Sequence, residues 1–491
     1  MSYLELLKLV APETILVLTA LVVLAADLVA MRELELHFRL AIGAMISSVG
    51  CLVAIGWMLV LPQHADVFSG ILVVDPLNQL VKIALLSLTI LTMLISIEGD
   101  FSVHAGEYFA LVLFATVGMM FLVSSTDVLM IFISLELTSL SLYVLTAFNK
   151  TDVQSAEAAL KYFLFGGMAA AFTLFGLSLL YGLSGSTNLE KIAGALGGPG
   201  LDPLLVLALV MTVIGFGFKV AAAPFHLWAP DVYQGAPAPS AALIASGSKV
   251  AGFFVLARVM ALGFKGAEGS GAWHGYLPGW IPLLAVVACV SMILGNFAAI
   301  VQSSVRRLLA YSAIAHAGYM LLGVMAHDAP GLASLLYYVI TYALTTLGAF
   351  GVVAVVQRQT GGDRLSDFAG LSRHSPGLAI CMMVFILSLA GIPPLAGFFG
   401  KFYVFSEVLR SPDGMGLLWL VILAILLSAV SLYYYLQVLK QIFVLPADPE
   451  ASSFAAVPAT QQVVLAVVAL AVVVLGCLPE WLIERVTEAM R

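Results

Sequence analysis

GFGFKVAAAPFHLWAPDVYQGAPAPSAALIASGSKVA, Gly215 to Ala251, carries two lysines, Lys219 and Lys249, within otherwise apolar segments. A lysine at bilayer depth costs about 2.5–3.5 kcal/mol on insertion scales, so its retention there implies a use. Pro224, Pro230, Pro237 and Pro239 lie between the two lysines. Proline removes a backbone donor and interrupts a helix. Irregular backbone at membrane depth survives only where protein or a water-lined cavity surrounds it. The stretch predicts a broken helix that faces a buried polar path, not lipid.

The composition agrees. The chain has 491 residues, of which 62% are hydrophobic and 10% charged. A soluble domain carries about 25% charge, so a soluble multidomain enzyme is excluded and a polytopic membrane protein in a lipid bilayer is expected. The longest polar intervals, Gln357–Pro376 and Pro446–Thr460, are loop-sized. The four cysteines, Cys51, Cys289, Cys381 and Cys477, lie in separate apolar runs with no metal or cluster spacing, so they read as small apolar residues. No basic patch suggests nucleic acid. The N-terminus, MSYLELLKLVAPE, lacks a basic region and a cleavage site and reads as a retained first helix.

A spanning helix needs about 20 apolar residues. That template gives an all-α polytopic fold of about fourteen helices, at 10–30, 40–61, 77–97, 108–124, 127–148, 157–183, 203–222, 239–263, 280–301, 308–326, 332–357, 376–409, 415–443 and 459–480. Helix seven ends at Pro224. Helix twelve is too long to be straight and contains GIPPLAG, Gly391 to Gly397, so it reads as two half-helices. The paired breaks suggest two five-helix units, 106–265 and 278–445, within one membrane domain, preceded by helices one to three at 1–105 and followed by a last helix at 456–491. Five crossings reverse direction, so such a repeat is inverted, a plan that places sites near the midplane. Lys and Arg, notably Arg306–Arg307 and the Arg358–Arg373 cluster, favour the loops opposite the N-terminus. The positive-inside rule then puts both termini outside.

The charges inside these spans are the candidate site. Glu136 stands alone in DVLMIFISLELTSLSLYVLTAF and requires a partner on a neighbouring helix. Lys219 precedes the first break, Lys249 follows a small-residue stretch, and Lys401 follows the second break. A buried lysine whose counter-charge can move is a switchable proton site. His316, mid-span in helix ten, suits a proton shuttle. Glu157 and Lys161 are an i,i+4 pair; Lys161 reads equally as half of a helix-surface salt bridge or as a contact to the proton path. His226 reads as a prop for the break or a relay member, Lys82 and Arg258 as interfacial or structural, and Asp231 as a turn cap.

FKVAAAPFHLWAPDVYQGAPAP, EAALKYFLFG, GNFAAIVQSSVRRLLAYSAIAHAGY and SLAGIPPLAGFFGKFYVF together resemble the antiporter-like subunits of proton-pumping NADH:quinone oxidoreductase, respiratory complex I. The resemblance runs from about Glu107 to Lys440 and is nearest the subunit N type: WAPDVYQGAP replaces the LPDAH-like wording of subunits M and L and of Mrp antiporters, and Lys401 stands where M has glutamate. It implies fourteen helices and two inverted repeats around a hydrophilic axis. It further implies a Glu136–Lys219 pair, Lys249 as central relay and Lys401 at the outlet. No cofactor is expected in this chain; NADH, FMN, iron–sulfur clusters and quinone would belong to partner subunits. Those partners would include the neighbouring subunit M and the small subunits K and J, in a bacterial inner (plasma) membrane. The alternatives are a cation/proton antiporter subunit of an Mrp-like complex without redox activity, or an arm subunit that does not pump.

Overall fold

Capping chemistry sets several helix boundaries in the computed structural model, which describes residues 3–61, 64–99, 101–196, 202–410, 414–446 and 456–490. The polar interval at 447–455 and Arg491 lie outside the described residues. A short α1 (Tyr3–Leu9) leads into α2 (Ala11–Val29), α3 (Leu36–Met58), α4 (Pro76–Ser96), α5 (Ala105–Ser124), α6 (Val128–Thr146) and α7 (Val153–Ser184). A small hairpin of β1 (Ala65–Val67) and β2 (Leu72–Val74) joins α3 to α4, with Ala65 opposite Val74. Then come α8 (Leu189–Leu196), α9 (Pro203–Lys219), α10 (Ala229–Gly235), α11 (Ala238–Ala245), α12 (Gly247–Arg258), α13 (Trp280–Ile300), α14 (Val305–Ala326) and α15 (Ala329–Thr360). The chain closes with α16 (Leu371–His374), α17 (Pro376–Ala390), α18 (Ala396–Arg410), α19 (Leu418–Phe443), α20 (Ala459–Cys477) and α21 (Pro479–Ala489).

Asp75, Asp127, Asp152, Asp202 and Asp328 each accept a hydrogen bond from a first-turn N–H of the helix that follows, as does Ser304. Pro76 and Pro203 occupy first helical positions, where the missing donor costs nothing. Gly185, Gly361 and Gly391 end their helices with positive φ. Within the bilayer, side-chain hydroxyls fold back onto their own helix: Thr89 onto Leu85, Thr138 onto Ser134 and Thr341 onto Tyr337. No water is available there to satisfy them, so the backbone does.

Twelve helical stretches of the described residues are long and apolar enough to cross a membrane, and α9 and α17 are shorter apolar helices. The expected breaks are present, α9 stopping at Lys219 and α17–α18 separating around Pro393–Pro394. The expected eighth helix, 239–263, is not continuous. It divides at Ser246 (φ −112, ψ −81) into α11 and α12 and finishes as a π-helical turn, Val259–Gly263. Ser240, Ser246, Gly247 and Ser248 crowd this junction, and small polar residues hold a helical turn weakly. Cys51 and Cys381 are buried and Cys289 is partly so, while Cys477 is exposed at the end of α20.

α2, α3 and α4 pack beside the core through α5 and α15, and two ion pairs fasten them. Arg39 forks onto Asp27 at 2.8 and 2.7 Å, and Asp27 also accepts from the Gly106 N–H at 2.9 Å. Lys82 donates to Glu13 at 2.6 Å, with both side chains buried. Lys82 is thus a buried structural cation, not an interfacial one. Replacing it with methionine would strand the Glu13 carboxylate, at a cost of about 3–5 kcal/mol. Lys82→Met is expected to lower the melting temperature of the assembled protein, and adding Glu13→Gln should recover most of the loss. Equal melting temperatures for wild type and Lys82→Met would refute the role.

Candidate functional site

Each helix interruption places a lysine in the interior: Lys219, Lys249 and Lys401 are 5%, 1% and 6% exposed. Lys219 is the last residue of α9. Beyond it Ala221 takes φ 57, a left-handed conformation that costs a non-glycine residue about 1–2 kcal/mol. The surroundings fix that path. The Ala223 N–H donates to Ser291 at 2.8 Å, the Trp228 indole N–H to the Phe218 carbonyl at 3.0 Å, and the Trp228 ring stacks on Tyr162 at 4.4 Å.

The Lys219 ammonium donates to Ser139 Oγ at 3.1 Å. Ser139 lies one turn beyond Glu136 on α6, and Glu136, Ser139, Tyr143 and Lys219 line one cavity of about 20 Å³. That volume suits a single water. Glu136 and Lys219 thus line the same cavity, but they form no ion pair within 4.0 Å. Lys219 takes a hydroxyl instead, so the charges are close without being locked together.

Lys249 lies in the first turn of α12, just past the Ser246 break. Its Nζ donates to the Ala313 carbonyl of α14 at 2.7 Å and lies 5.5 Å from the centre of the Tyr342 ring. His316, one turn beyond Ala313, packs on the same Tyr342 ring at 4.9 Å. Its Nδ1 is 2.7 Å from Tyr338 Oη and its Nε2 3.2 Å from Tyr435 Oη, which in turn bonds the Ser312 hydroxyl. A phenol donates or accepts, so either tautomer of His316 is satisfied and a proton can change sides without moving the ring.

Tyr319 continues the row. It meets His316 at 5.7 Å, and Lys401 Nζ lies 5.2 Å from its ring centre. Lys401 donates to the Leu389 and Ala390 carbonyls at 3.1 and 3.2 Å and to Ser428 Oγ at 2.8 Å. Those carbonyls are freed by the end of α17 and carry the negative end of its dipole, the natural seat for a cation. Gly391, at φ 85, lets the chain turn away directly beneath the lysine.

The structure thus joins Lys249, Tyr342, His316, Tyr319 and Lys401 in one buried row, and Glu136 and Lys219 line a separate cavity between α6 and α9. It does not bring Lys161 to that row. Lys161 is 38% exposed and pairs with Glu157 and Asp231, each at 2.7 Å. Asp231, expected as a turn cap, bridges Lys161 on α7 to Arg307 on α14, 2.7 Å away. Burial alone would raise the Asp231 carboxyl; the hydrogen bonds from Lys161 and Arg307 outweigh it and hold the group below the usual carboxylate range. Arg306, expected as a loop charge, is buried within α14 and donates to the Tyr233 and Ala236 carbonyls. Sequence reasoning passed over Tyr319, Tyr338, Tyr342 and Tyr435; the i,i+4 spacing of Tyr338 and Tyr342 on one face of α15 was the available signal.

Residues 125–431 match the family model described as NADH:quinone oxidoreductase/Mrp antiporter, transmembrane. The chain is 52% identical to NADH-quinone oxidoreductase subunit N 2 of Acidobacterium capsulatum, over 98% of this chain and 99% of that one. A chain of respiratory complex I from Thermus thermophilus with bound aureothin superposes with TM-score 0.79 at 35% identity, covering 96% of this chain and 98% of its own. A chain of the Mrp complex from Dietzia sp. gives TM-score 0.81 at 20% identity, covering 99% and 97%, a likeness of fold alone. The chain belongs to the NADH:quinone oxidoreductase/Mrp antiporter transmembrane family, in its subunit N branch.

Proposed function

We propose that this chain is the proton-translocating subunit N of a membrane-bound NADH:quinone oxidoreductase. The observation that carries the reading is the buried row from Lys249 through Tyr342, His316 and Tyr319 to Lys401, with Lys219 and Glu136 in a separate cavity between α6 and α9. The identity to a subunit N relative over nearly the whole chain favours this over an Mrp-like cation/proton antiporter. NADH, FMN, iron–sulfur clusters and quinone belong to partner subunits in this reading, and subunits M, K and J are the neighbours in the membrane. The two inverted five-helix units are 106–265 and 278–445, and both termini face outward from a bacterial inner membrane.

A neighbouring subunit would alter the Glu136–Lys219 spacing. Lys219 has a hydroxyl rather than a locked carboxylate as its nearest partner, so a small shift of Glu136 changes how tightly it holds its proton. The proton would pass to Lys249, then through His316 to Lys401. Lys161, fastened to Asp231, would act by positioning α10 rather than as a link in the row.

The test is proton pumping by sealed vesicles bearing the assembled complex, with NADH as donor. Lys219→Ala is expected to reduce coupled pumping by about two orders of magnitude, the scale of losing a positioned proton donor–acceptor, with assembly intact. Unimpaired pumping would overturn the assignment.

A further inference from the structure

Where α11 and α14 begin and α15 ends, a polar vestibule of about 730 Å³ opens to the surface. Lys150, Asp152, Gln234, Arg306, Gln357 and Gln461 are among its lining residues. Its floor includes the α10–α11 junction and Ala354 and Gln357 of α15. Continuing inward on α15, Phe350, Thr346 and Tyr342 follow at intervals of four residues and share one face. A rise of 1.5 Å per residue puts Thr346 about 16 Å and Tyr342 about 22 Å below Gln357. Tyr342 is the ring that Lys249 and His316 share.

Next inward from Gln234 and Ala354 of that lining stand Tyr233 and Phe350. Phe350 meets Tyr233 of α10 edge to face at 5.6 Å, and both are fully buried. Two buried hydroxyls near this contact make no hydrogen bond within 3.5 Å: Tyr233 Oη on α10, and Thr346 Oγ1 one turn further in on α15, beside Tyr342. Buried polar groups are nearly always satisfied, so an unpartnered Tyr233 hydroxyl beside Phe350, with Thr346 a turn further in, marks a place that water reaches in another state. Charged contacts hold the segment that carries Tyr233. Arg306 holds its carbonyl, and two residues earlier Asp231 is held by Lys161 from α7 and Arg307 from α14.

We infer that the Tyr233–Phe350 contact is the gate between this vestibule and the lysine–tyrosine–histidine row, closed when dry and open when water joins the two hydroxyls. An apolar constriction of this kind controls passage by dewetting. The inference rests on the reading that protons travel along the row. It adds the point of access and the residues that control it. A displaced α10 would draw Tyr233 off Phe350 and let a water file form from Gln357 to Tyr342.

The experiment is alkylation of Thr346→Cys by iodoacetamide in the resting, fully assembled complex, located by peptide mass spectrometry. Iodoacetamide reacts with thiolate, which forms where water reaches. The native cysteines Cys51, Cys289, Cys381 and Cys477 serve as internal controls. Thr346→Cys alone is expected to react slowly. Adding Phe350→Ala should accelerate it at least about tenfold, and adding Phe350→Leu should not, since labelling follows the open population. Tyr233→Ala opens the same contact from the other side and should accelerate labelling too, which covers failure of Phe350→Ala to assemble. Equal rates with and without the opening substitutions, or fast labelling of Thr346→Cys alone, would overturn the gate. Labelling needs no turnover, so unimpaired pumping in Lys219→Ala, which would overturn the proton path, and a failure of the gate are read separately.

Discussion

Lys249→Met is expected to stop proton pumping almost completely while the complex still assembles. In the proposed path Lys249 is the step between Lys219 and the row: its ammonium bonds Ala313 and lies against Tyr342, which touches His316. Methionine keeps the length and apolar stem, so α12 should still pack, and the Ala313 carbonyl retains its place within α14. What disappears is the ammonium beside Tyr342, and with it the titratable carrier of the proposed path. Loss of such a group typically costs two to four orders of magnitude, so pumping should fall at least about a hundredfold. Lys249→Arg should not rescue it, because a guanidinium does not release its proton in proteins. The measurement is the pH gradient formed by NADH-driven vesicles, normalised to complex content. Retained pumping in Lys249→Met would mean that protons bypass α12.

How much of this was legible beforehand differs by element. The breaks at Pro224 and Pro393–Pro394 were readable because proline acts locally, through its own ring and missing donor. The break at Ser246 was not, because it depends on how a small-residue stretch packs among neighbours, with no residue there forbidding a helix. The lysines were readable as anomalies against apolar surroundings. Their partners were not: a carbonyl such as Ala313 or Leu389 carries no signal in its side chain, and the Ser139 hydroxyl looks like any other helix serine. Glu13 was missed because a carboxylate near a chain end reads as exposed until a lysine 69 residues away is placed beside it. Charge counting misread Arg306 for a related reason: it treats a helix-start arginine as solvent-facing, whereas the backbone of α10 supplies this one with partners.

Arg306 therefore supports the second large effect, on stability. α10 has seven residues and ends before Pro237, so its last carbonyls have no helical partners of their own. The Arg306 guanidinium donates to Tyr233 O at 2.8 Å, to Ala236 O and to Gln357 Oε1 at 3.1 Å, from a buried position. Removing it leaves two buried carbonyls unsatisfied, each costing about 1–3 kcal/mol. Arg306→Ala is expected to destabilise the subunit by about 3 kcal/mol or more, seen as a lower melting temperature and less assembled complex in membranes. Arg306→Lys should fall between, because an ammonium keeps the charge but not the fork that spans both acceptors. The ordering tests the cause: if charge alone mattered, lysine would match wild type, and if volume alone mattered, Arg306→Met would match it. Unchanged melting for Arg306→Ala would mean that the Lys161–Asp231–Arg307 bridge suffices to hold α10, and that Tyr233 is positioned through Asp231 rather than through its own carbonyl.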